Sequence, residues 1–157
     1  MSEKEIRITY TEYKSLDEME EKDRALAKEA IAAMNNAYAP YSHFHVGAAV
    51  RMSNGEIVRG SNQENAAFPS GMCAERTAMF AAGARFPDKD MESIALAGGV
   101  HGRLASAPAT PCGACRQVMA QYQTKAGKPM SVIMVGSSAI WKFDKVDDIL
   151  PLIFDSI

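Results

Sequence analysis

The sequence predicts a three-layer α/β domain, an α-β-α sandwich in which a mixed sheet of roughly five strands carries helices on both faces. Two near-continuous apolar runs, Ser93 to Gly98 and Met130 to Val135, are typical of strands that are covered on both sides. A helical stretch from Cys112 to Lys125 separates them, and this order favours a right-handed parallel crossover. The dipeptide Asn54-Gly55 between two shorter apolar runs adds an antiparallel hairpin.

The chain before the hairpin is predicted to form one strand and one helix. Residues 6, 8 and 10 are apolar and alternate with polar residues, so residues 1–14 are expected to be an N-terminal extension strand. Ser15 followed by Glu18 is a capping box, which predicts a helix that runs to about Asn36. The side chains that should point inward from this helix are Met19, Leu26, Ala30, Ile31 and Met34.

The remaining elements follow from turn residues and apolar patterns. Strands over Val46 to Met52 and Glu56 to Gly60 should flank the hairpin turn. Residues 61–72 are polar at first and contain a proline and a glycine, so we expect a loop that leads into a helix over about 73–85. Residues 141–146 form a candidate last strand before a short turn and a tail.

Composition limits the class of protein. The 157 residues are 47% hydrophobic and 23% charged, which fits a single domain over residues 1–157. The net charge of −2 and the isoelectric point near 5.9 provide no basic face, so we expect no nucleic-acid partner. The sequence has no apolar run long enough for a bilayer and no N-terminal leader pattern. We therefore expect a cytoplasmic protein without a membrane partner.

All three cysteines lie in two short segments, Cys73-Ala74-Glu75-Arg76 and Pro111 to Arg116. Three thiols are the right number of protein ligands for a catalytic zinc site, which keeps its fourth position open. Cys112 and Cys115 are three residues apart and would share one helix face. Taken alone, this pair could also be a redox couple. A Cys-x-Glu segment followed by Pro-Cys-x-x-Cys matches the zinc deaminase signature, which favours the metal site.

The residues beside the cysteines indicate a hydrolytic chemistry. Zinc lowers the pKa of a bound water to about 7, and Glu75 is placed to accept its proton and return it. Three thiolates would leave the site with a formal charge of about −1, which weakens zinc as a Lewis acid. Arg76 has the wrong sign for the first turn of a helix, so we expect it to hydrogen-bond the cysteine sulfurs and offset that charge.

Three longer motifs extend the pattern: Tyr41 to Ala49, Asn62 to Ala78, and Pro111 to Gln117. Together they resemble the small homotetrameric zinc-dependent cytidine deaminases, over about residue 20 to the C-terminus. The resemblance implies the cytidine deaminase-like fold, one zinc ion per subunit held by the three cysteines, and a role in pyrimidine salvage. The implied reaction converts cytidine, and 2′-deoxycytidine as well, to the uridine product and ammonia.

The resemblance also implies roles in substrate binding. Phe44 would stack on the pyrimidine ring, and Asn62 and Glu64 would bind the ribose hydroxyls. The backbone of Ala74, together with Glu75, would read the edge of the base. A site built to bond sugar hydroxyls would discriminate against free cytosine, because its polar groups would be left unpaired.

Three further residues are implied to act between subunits of a homotetramer with shared active sites. Ala66 and Phe68 resemble loop residues that reach across an interface, and Phe154 resembles the C-terminal aromatic that closes a neighbouring site. Phe68 departs from the family pattern, where a tyrosine is common, so the hydroxyl and any bond it makes to the sugar are absent here. The N-terminal strand could pair within its own subunit or across an interface.

Two alternatives share the zinc motifs. The first is a related aminohydrolase that acts on another aminated heterocycle, such as blasticidin S. The second is a module without activity, in which zinc is a structural staple; this would need a closed fourth coordination position. On composition alone, Phe44 and Phe154 would be core or interface residues. The histidines match no ligand spacing with the cysteines, so we leave them out of the predicted metal site.

Overall fold

The computed structural model describes residues 1–155, and six strands within them form one mixed sheet. The strands are β1 (Thr11–Tyr13), β2 (Phe44–Met52), β3 (Ile57–Ser61), β4 (Met91–Val100), β5 (Ser131–Val135) and β6 (Ile140–Phe143). Their order is β1-β6-β5-β4-β2-β3. β4 and β5 pair in parallel and the other neighbours are antiparallel, so the predicted parallel pair is confirmed and the sheet has one strand more than expected.

Helices cover both faces of the sheet, which confirms the three-layer class. They are α1 (Glu21–Ala33), α2 (Ala74–Arg85) and α3 (Gly113–Ala126). On one face α1 buries Leu26 and Ala30 with residues of β2, β4, β5 and β6. On the other face α2 and α3 bury Met79 and Met119 with residues of the same sheet. None of the helices within residues 1–155 is both long and apolar enough to cross a bilayer.

The N-terminal extension strand is much shorter than predicted. Only Thr11–Tyr13 form a strand, and they pair with β6 of the same chain. Ile6 and Ile8 lack strand structure and are more than half exposed, at 58% and 51%. The alternating pattern was misleading because β6 offers partners only for residues 11–13, with Thr11 opposite Lys142.

The predicted capping box does not open the first long helix. The Ser15 side chain makes no cap hydrogen bond, and Glu18 accepts the backbone N–H of Lys14 at 2.8 Å. These residues form a single 3₁₀ turn over Leu16–Glu18, and α1 begins only at Glu21. The chain leaves the helical path at Met19, whose side chain is buried in the core. The predicted inward face is otherwise confirmed, with Ile31 partly buried.

Two glycines let helices lie directly on the sheet. A Cβ at Gly60 in β3 would meet the backbone nitrogen of Ala78 and lie 2.7 Å from the carbonyl oxygen of Ala74, both in α2. A Cβ at Gly47 in β2 would meet backbone atoms of α1 in the same way. Gly60 therefore fixes the height of α2 above the sheet, and α2 begins at the first cysteine segment.

Candidate active site

Two cysteines are the residues at which α2 and α3 begin. Cys73 is the N-cap of α2 and Cys112 is the N-cap of α3. Their carbonyls accept the first intrahelical hydrogen bonds, each at 3.0 Å, from the backbone nitrogens of Thr77 and Arg116. Because the N-terminus of a helix carries a partial positive charge, both cysteines lie beside a fixed positive end of a dipole.

The three thiols form one cluster of metal-ligand type. Their Sγ atoms all lie within 4.8 Å of one another, and those of Cys73 and Cys112 are 3.8 Å apart. A tetrahedral zinc ion with Zn–S bonds of about 2.3 Å places its sulfurs about 3.8 Å apart, so the cluster fits zinc. Cys115 is buried and Cys112 is exposed, which leaves one side of the cluster open.

Arg76 contacts this cluster as the sequence predicted. Its Nη2 atom donates to Cys73 Sγ at 3.5 Å, and this bond raises the pKa of the guanidinium. The pKa of Cys73 is lowered by a hydrogen bond from the Cys115 thiol and by Arg76. Cys115 keeps its proton for the same reason, because donating to Cys73 raises its pKa.

Glu75 lies in the first turn of α2 and is 5% exposed. Burial is the main cause that raises the pKa of its carboxyl group to about 6. A carboxyl group with a pKa near neutrality can both accept and return a proton at physiological pH. Glu75 also lines the cavity next to the cysteines, so it can reach a molecule bound there.

A cavity of about 190 Å³ opens beside the thiols. Six of the predicted site residues line it: Phe44, Asn62, Cys73, Ala74, Glu75 and Cys112. Four residues that the sequence did not single out complete the wall: Val46, Leu96, Ala109 and Thr110. These four residues lie on β2, on β4 and in the segment before α3, which are far apart in the sequence and adjacent in the fold.

The Asn62 side chain hydrogen-bonds the backbone of β2 at Phe44 and Val46. Its Oδ1 accepts the N–H of Val46 and its Nδ2 donates to the carbonyl of Phe44, both at 2.8 Å. The Phe44 ring lies against β4, because a Cβ at Gly98 would be 2.9 Å from Phe44 Cε1. The aromatic ring is therefore held between a strand and the cavity.

Glu64 lies next to this wall and outside the cavity lining. Its carboxylate accepts the backbone N–H groups of Tyr41, at 2.8 Å, and Ser42, at 3.2 Å, and the hydroxyl of Ser42. The hydrogen bond from that hydroxyl is the main cause that lowers the pKa of Glu64. Most of its hydrogen-bonding capacity thus holds the turn at residues 41–42.

The three residues predicted to act between subunits lie outside the cavity of their own chain. Ala66 and Phe68 are in an exposed loop, and Phe68 is 90% exposed. Phe154 is 68% exposed, and its carbonyl accepts a hydrogen bond from Gln117 at 2.6 Å, which ties the C-terminal segment to α3. The roles of all three toward a neighbouring subunit stay predictions.

Comparison with known proteins identifies the family. The sequence model of the cytidine and deoxycytidylate deaminase zinc-binding region matches residues 20–128. The chain belongs to this family. The matched region contains both cysteine segments and all the residues that line the cavity. The thiol cluster therefore lies within the family's zinc-binding region.

Individual members of the deaminase family agree with this assignment. A cytidine deaminase from Halalkalibacterium halodurans is 48% identical over 96 residues, which is 61% of this chain and 68% of that protein. The solved cytidine deaminase from Burkholderia pseudomallei is 39% identical, with a TM-score of 0.70 over 83% of this chain and 97% of that one. The corresponding structure from Mycobacterium tuberculosis is 29% identical, with a TM-score of 0.66 over 84% and 96%.

Sequence reasoning missed one arginine that supports the family's zinc-binding region. Arg116 donates from Nε to the carbonyl of Pro111 at 2.9 Å and from Nη1 to the carbonyl of Ile149 at 3.1 Å. It thereby fixes the segment before Cys112 to the C-terminal part of the chain. The signal was available, because Arg116, like Arg76, is a cation in the first turn of a helix, where the dipole disfavours it.

Proposed function

We propose that the protein is a zinc-dependent deaminase that hydrolyses cytidine and 2′-deoxycytidine to uridine and 2′-deoxyuridine. The reaction consumes one water, breaks the bond between C4 and the exocyclic nitrogen, and releases ammonia. The observation that carries the proposal is that buried Glu75 lines the same cavity as Cys73 and Cys112, two members of the three-thiol cluster. Membership of the family and similarity to proteins named cytidine deaminase support the choice of substrate.

Cys73, Cys112 and Cys115 would hold the zinc ion, which supplies Lewis acidity and lowers the pKa of water to about 7. Glu75 would accept one proton of the attacking water and give it to the ring nitrogen. It would then take the remaining proton of the added hydroxyl group and give it to the leaving amine as the C4–N bond breaks. One carboxyl group can serve all of these steps because they occur in sequence. Burial keeps its pKa at about 6, within reach of both protonation states.

The wall of the cavity suits a nucleoside. The Phe44 ring offers a face for the pyrimidine, and the backbone of Ala74, with Glu75, would read the base edge. Asn62 uses one N–H and one lone-pair direction for its backbone contacts, so one N–H remains free. Glu64 retains one acceptor direction after three hydrogen bonds. A ribose hydroxyl can accept from the amide and donate to the carboxylate.

A homotetramer with shared active sites is part of the proposal. The cavity of about 190 Å³ is smaller than the roughly 300–1,000 Å³ that is usual for small-molecule sites. Phe68 and Phe154 are large apolar side chains left exposed at 90% and 68%. Placing them, together with Ala66, over the cavity of a neighbouring subunit would bury them and enlarge the site.

The same proposal includes the cellular setting. Three cysteines without disulfide bonds, proposed as metal ligands, suit a reducing compartment, so we propose that the protein is cytoplasmic. Its role there would be in pyrimidine salvage, which follows from the proposed substrate. The chain would act as a single domain. The net charge of −2 supports a nucleoside substrate over a polynucleotide.

The test is the loss of ultraviolet absorbance of cytidine on mixing with purified protein of measured zinc content. Cytosine, blasticidin S and deoxycytidylate are assayed beside it, the last because the matching family region is shared by deoxycytidylate deaminases. We expect about one zinc per chain and rapid turnover of cytidine and 2′-deoxycytidine alone. Turnover of cytosine at a similar rate would contradict the sugar-binding assignment, and stoichiometric zinc without any turnover would favour the structural staple.

The matched variant is Glu75→Gln, which keeps the size of the side chain but cannot accept and return a proton. It should bind zinc and cytidine as the wild type does, and turn over about 10²–10⁴-fold more slowly. A variant that lost its zinc would show instead that Glu75 supports the metal site.

A further inference from the structure

Ser42 is exposed and lies outside the cavity, yet its side chain connects two residues of the proposed site. We propose that Ser42 is a positioning residue whose hydroxyl fixes the backbone of Phe44 and thereby the face that the Phe44 ring presents to the substrate. The substrate part of this inference rests on the proposed function, in which Phe44 stacks on the pyrimidine.

The hydroxyl of Ser42 is used in both directions. It donates to Glu64 and accepts the backbone N–H of Phe44 at 3.0 Å. A serine hydroxyl has one donor and two acceptor positions, so both bonds can exist at the same time. Glu64 also accepts the N–H groups of Tyr41 and Ser42. The carboxylate therefore anchors the turn, and the hydroxyl extends that anchor to Phe44.

The turn needs such an anchor because it contains a residue in an unfavourable conformation. His43, between Ser42 and Phe44, has a φ of +57°, in the left-handed region that residues other than glycine rarely adopt. Backbone of this kind persists where surrounding contacts hold it, and it is common at functional sites. On the side of β4, the carbonyl of His43 accepts the N–H of His101 at 2.8 Å. On the other side, the N–H of His43 donates to the carbonyl of Ala39 at 3.0 Å, and the contacts of Ser42 and Glu64 hold the residues around it.

Phe44 has little freedom beyond this turn. Its carbonyl accepts a hydrogen bond from Asn62 at 2.8 Å. Its ring fills the space above Gly98, where a Cβ would also lie 3.2 Å from the Cβ of Ala109. The hydrogen bond from the Phe44 N–H to the Ser42 hydroxyl is thus the contact through which a change in the turn would move the Phe44 ring.

The test compares Ser42→Ala, which removes the hydroxyl, with Ser42→Thr, which keeps it. We expect Ser42→Ala to raise KM for cytidine about tenfold with a smaller change in kcat, because the cysteines and Glu75 are untouched. Ser42→Thr should restore KM to near the wild-type value. A KM that rises equally in both variants, or in neither, would overturn the proposal.

A second measurement does not depend on activity. Hydrogen exchange of the Phe44 amide, followed by NMR, should be faster in Ser42→Ala than in the wild type and slow again in Ser42→Thr. Equal exchange in all three proteins would overturn the positioning role, whatever the kinetics show. Absence of cytidine turnover in the wild type would contradict the proposed function instead, and amide exchange would still decide whether Ser42 fixes Phe44.

Discussion

Arg76 donates a hydrogen bond from Nη2 to the Sγ of Cys73, three residues earlier in the chain, across 3.5 Å. Arg76 lies in the first turn of α2, where the helix dipole disfavours a cation. Its attraction to the thiolate outweighs that cost, and it provides a fixed positive charge beside the three sulfurs. Two consequences can be measured, one on turnover and one on zinc affinity.

Arg76→Gln should keep the fold and lower kcat/KM for cytidine about 10–100-fold, with weaker zinc binding, because the thiolate charge is no longer offset. Arg85→Gln, in the last turn of the same helix, is the matched control and should change neither. Steady-state kinetics and competition with a zinc chelator provide the two readouts. Unchanged turnover in Arg76→Gln would remove the proposed role.

Gly60→Ala should weaken zinc binding as well as stability. The new Cβ would lie 2.7 Å from the carbonyl oxygen of Ala74, so α2 must move, and Cys73 and Glu75 would move with it. Gly47→Ala is the comparison, because its Cβ would meet α1, which carries no site residue. Both variants should lose about 1–3 kcal/mol in the free energy of unfolding.

Only Gly60→Ala should also lose affinity for zinc, measured by chelator competition under conditions in which both variants remain folded. Equal zinc affinities in the two variants would show that α2 can shift without disturbing the cysteine cluster.

Gly98→Ala should raise KM for cytidine and leave the zinc content at the wild-type level. The added Cβ would come within 2.9 Å of Phe44 Cε1 and push the ring toward the cavity. A double-mutant cycle with Phe44→Leu tests the route, because the effect of Gly98→Ala should shrink once the ring is gone. Additive effects would mean that Gly98 acts on the cavity without Phe44.

Lys142→Met should destabilise the protein through a buried ion cluster at the other end of the sheet. Asp23 is 2% exposed and accepts Lys142 Nζ at 2.7 Å and Arg51 Nη2 at 3.3 Å. Because Asp23 keeps its pairing with Arg51, we expect a loss of about 1–3 kcal/mol in the free energy of unfolding. Lys128→Met is the control, since its exposed pair with Asp90 should contribute less than about 1 kcal/mol.

The same variant has a predicted pH dependence. Burial opposes the charge of Lys142, but the hydrogen bond and the attraction to Asp23 raise its pKa overall. A raised folded-state pKa gives stabilisation that is full below the unfolded value of about 10.4 and is lost as the pH rises through the folded value. The stability gap between wild type and Lys142→Met should therefore be constant near neutrality and begin to narrow once the pH passes the unfolded value of about 10.4. A gap that widens there would contradict the raised pKa.

Local patterns were sufficient for most of the fold. The Asn54-Gly55 turn, the cysteines that begin α2 and α3, and the apolar runs of β4 and β5 are each encoded within a few residues. The N-terminal strand failed because a strand needs a partner, and in the observed register residues 1–9 lie beyond Phe143, where β6 ends. Ser15 and Glu18 have the residue types of a capping box, but they lie at the two ends of a single 3₁₀ turn. The helix does not continue because the backbone becomes extended at Met19, whose side chain is buried in the core.

The candidate site divides in the same way. The thiol cluster was predictable because its members are all of the cysteines that the chain has. Ser42 was not assigned a role because its partner Glu64 lies 22 residues away, and the bond from Arg116 to Ile149, 33 residues away, could not be read from the position of Arg116 in its helix. Hydrogen bonds over such separations appear only once the fold has brought the segments together.

Trp141 is the single tryptophan of the chain, and its Nε1 donates to Glu12 of β1 at 2.7 Å. Its ring also lies 5.7 Å from that of Tyr10. β5 separates β6, which carries Trp141, from β4 at the edge of the cavity. Intrinsic fluorescence therefore provides a built-in spectroscopic probe of whether the N-terminal segment is docked, separate from the chemistry at the cysteines.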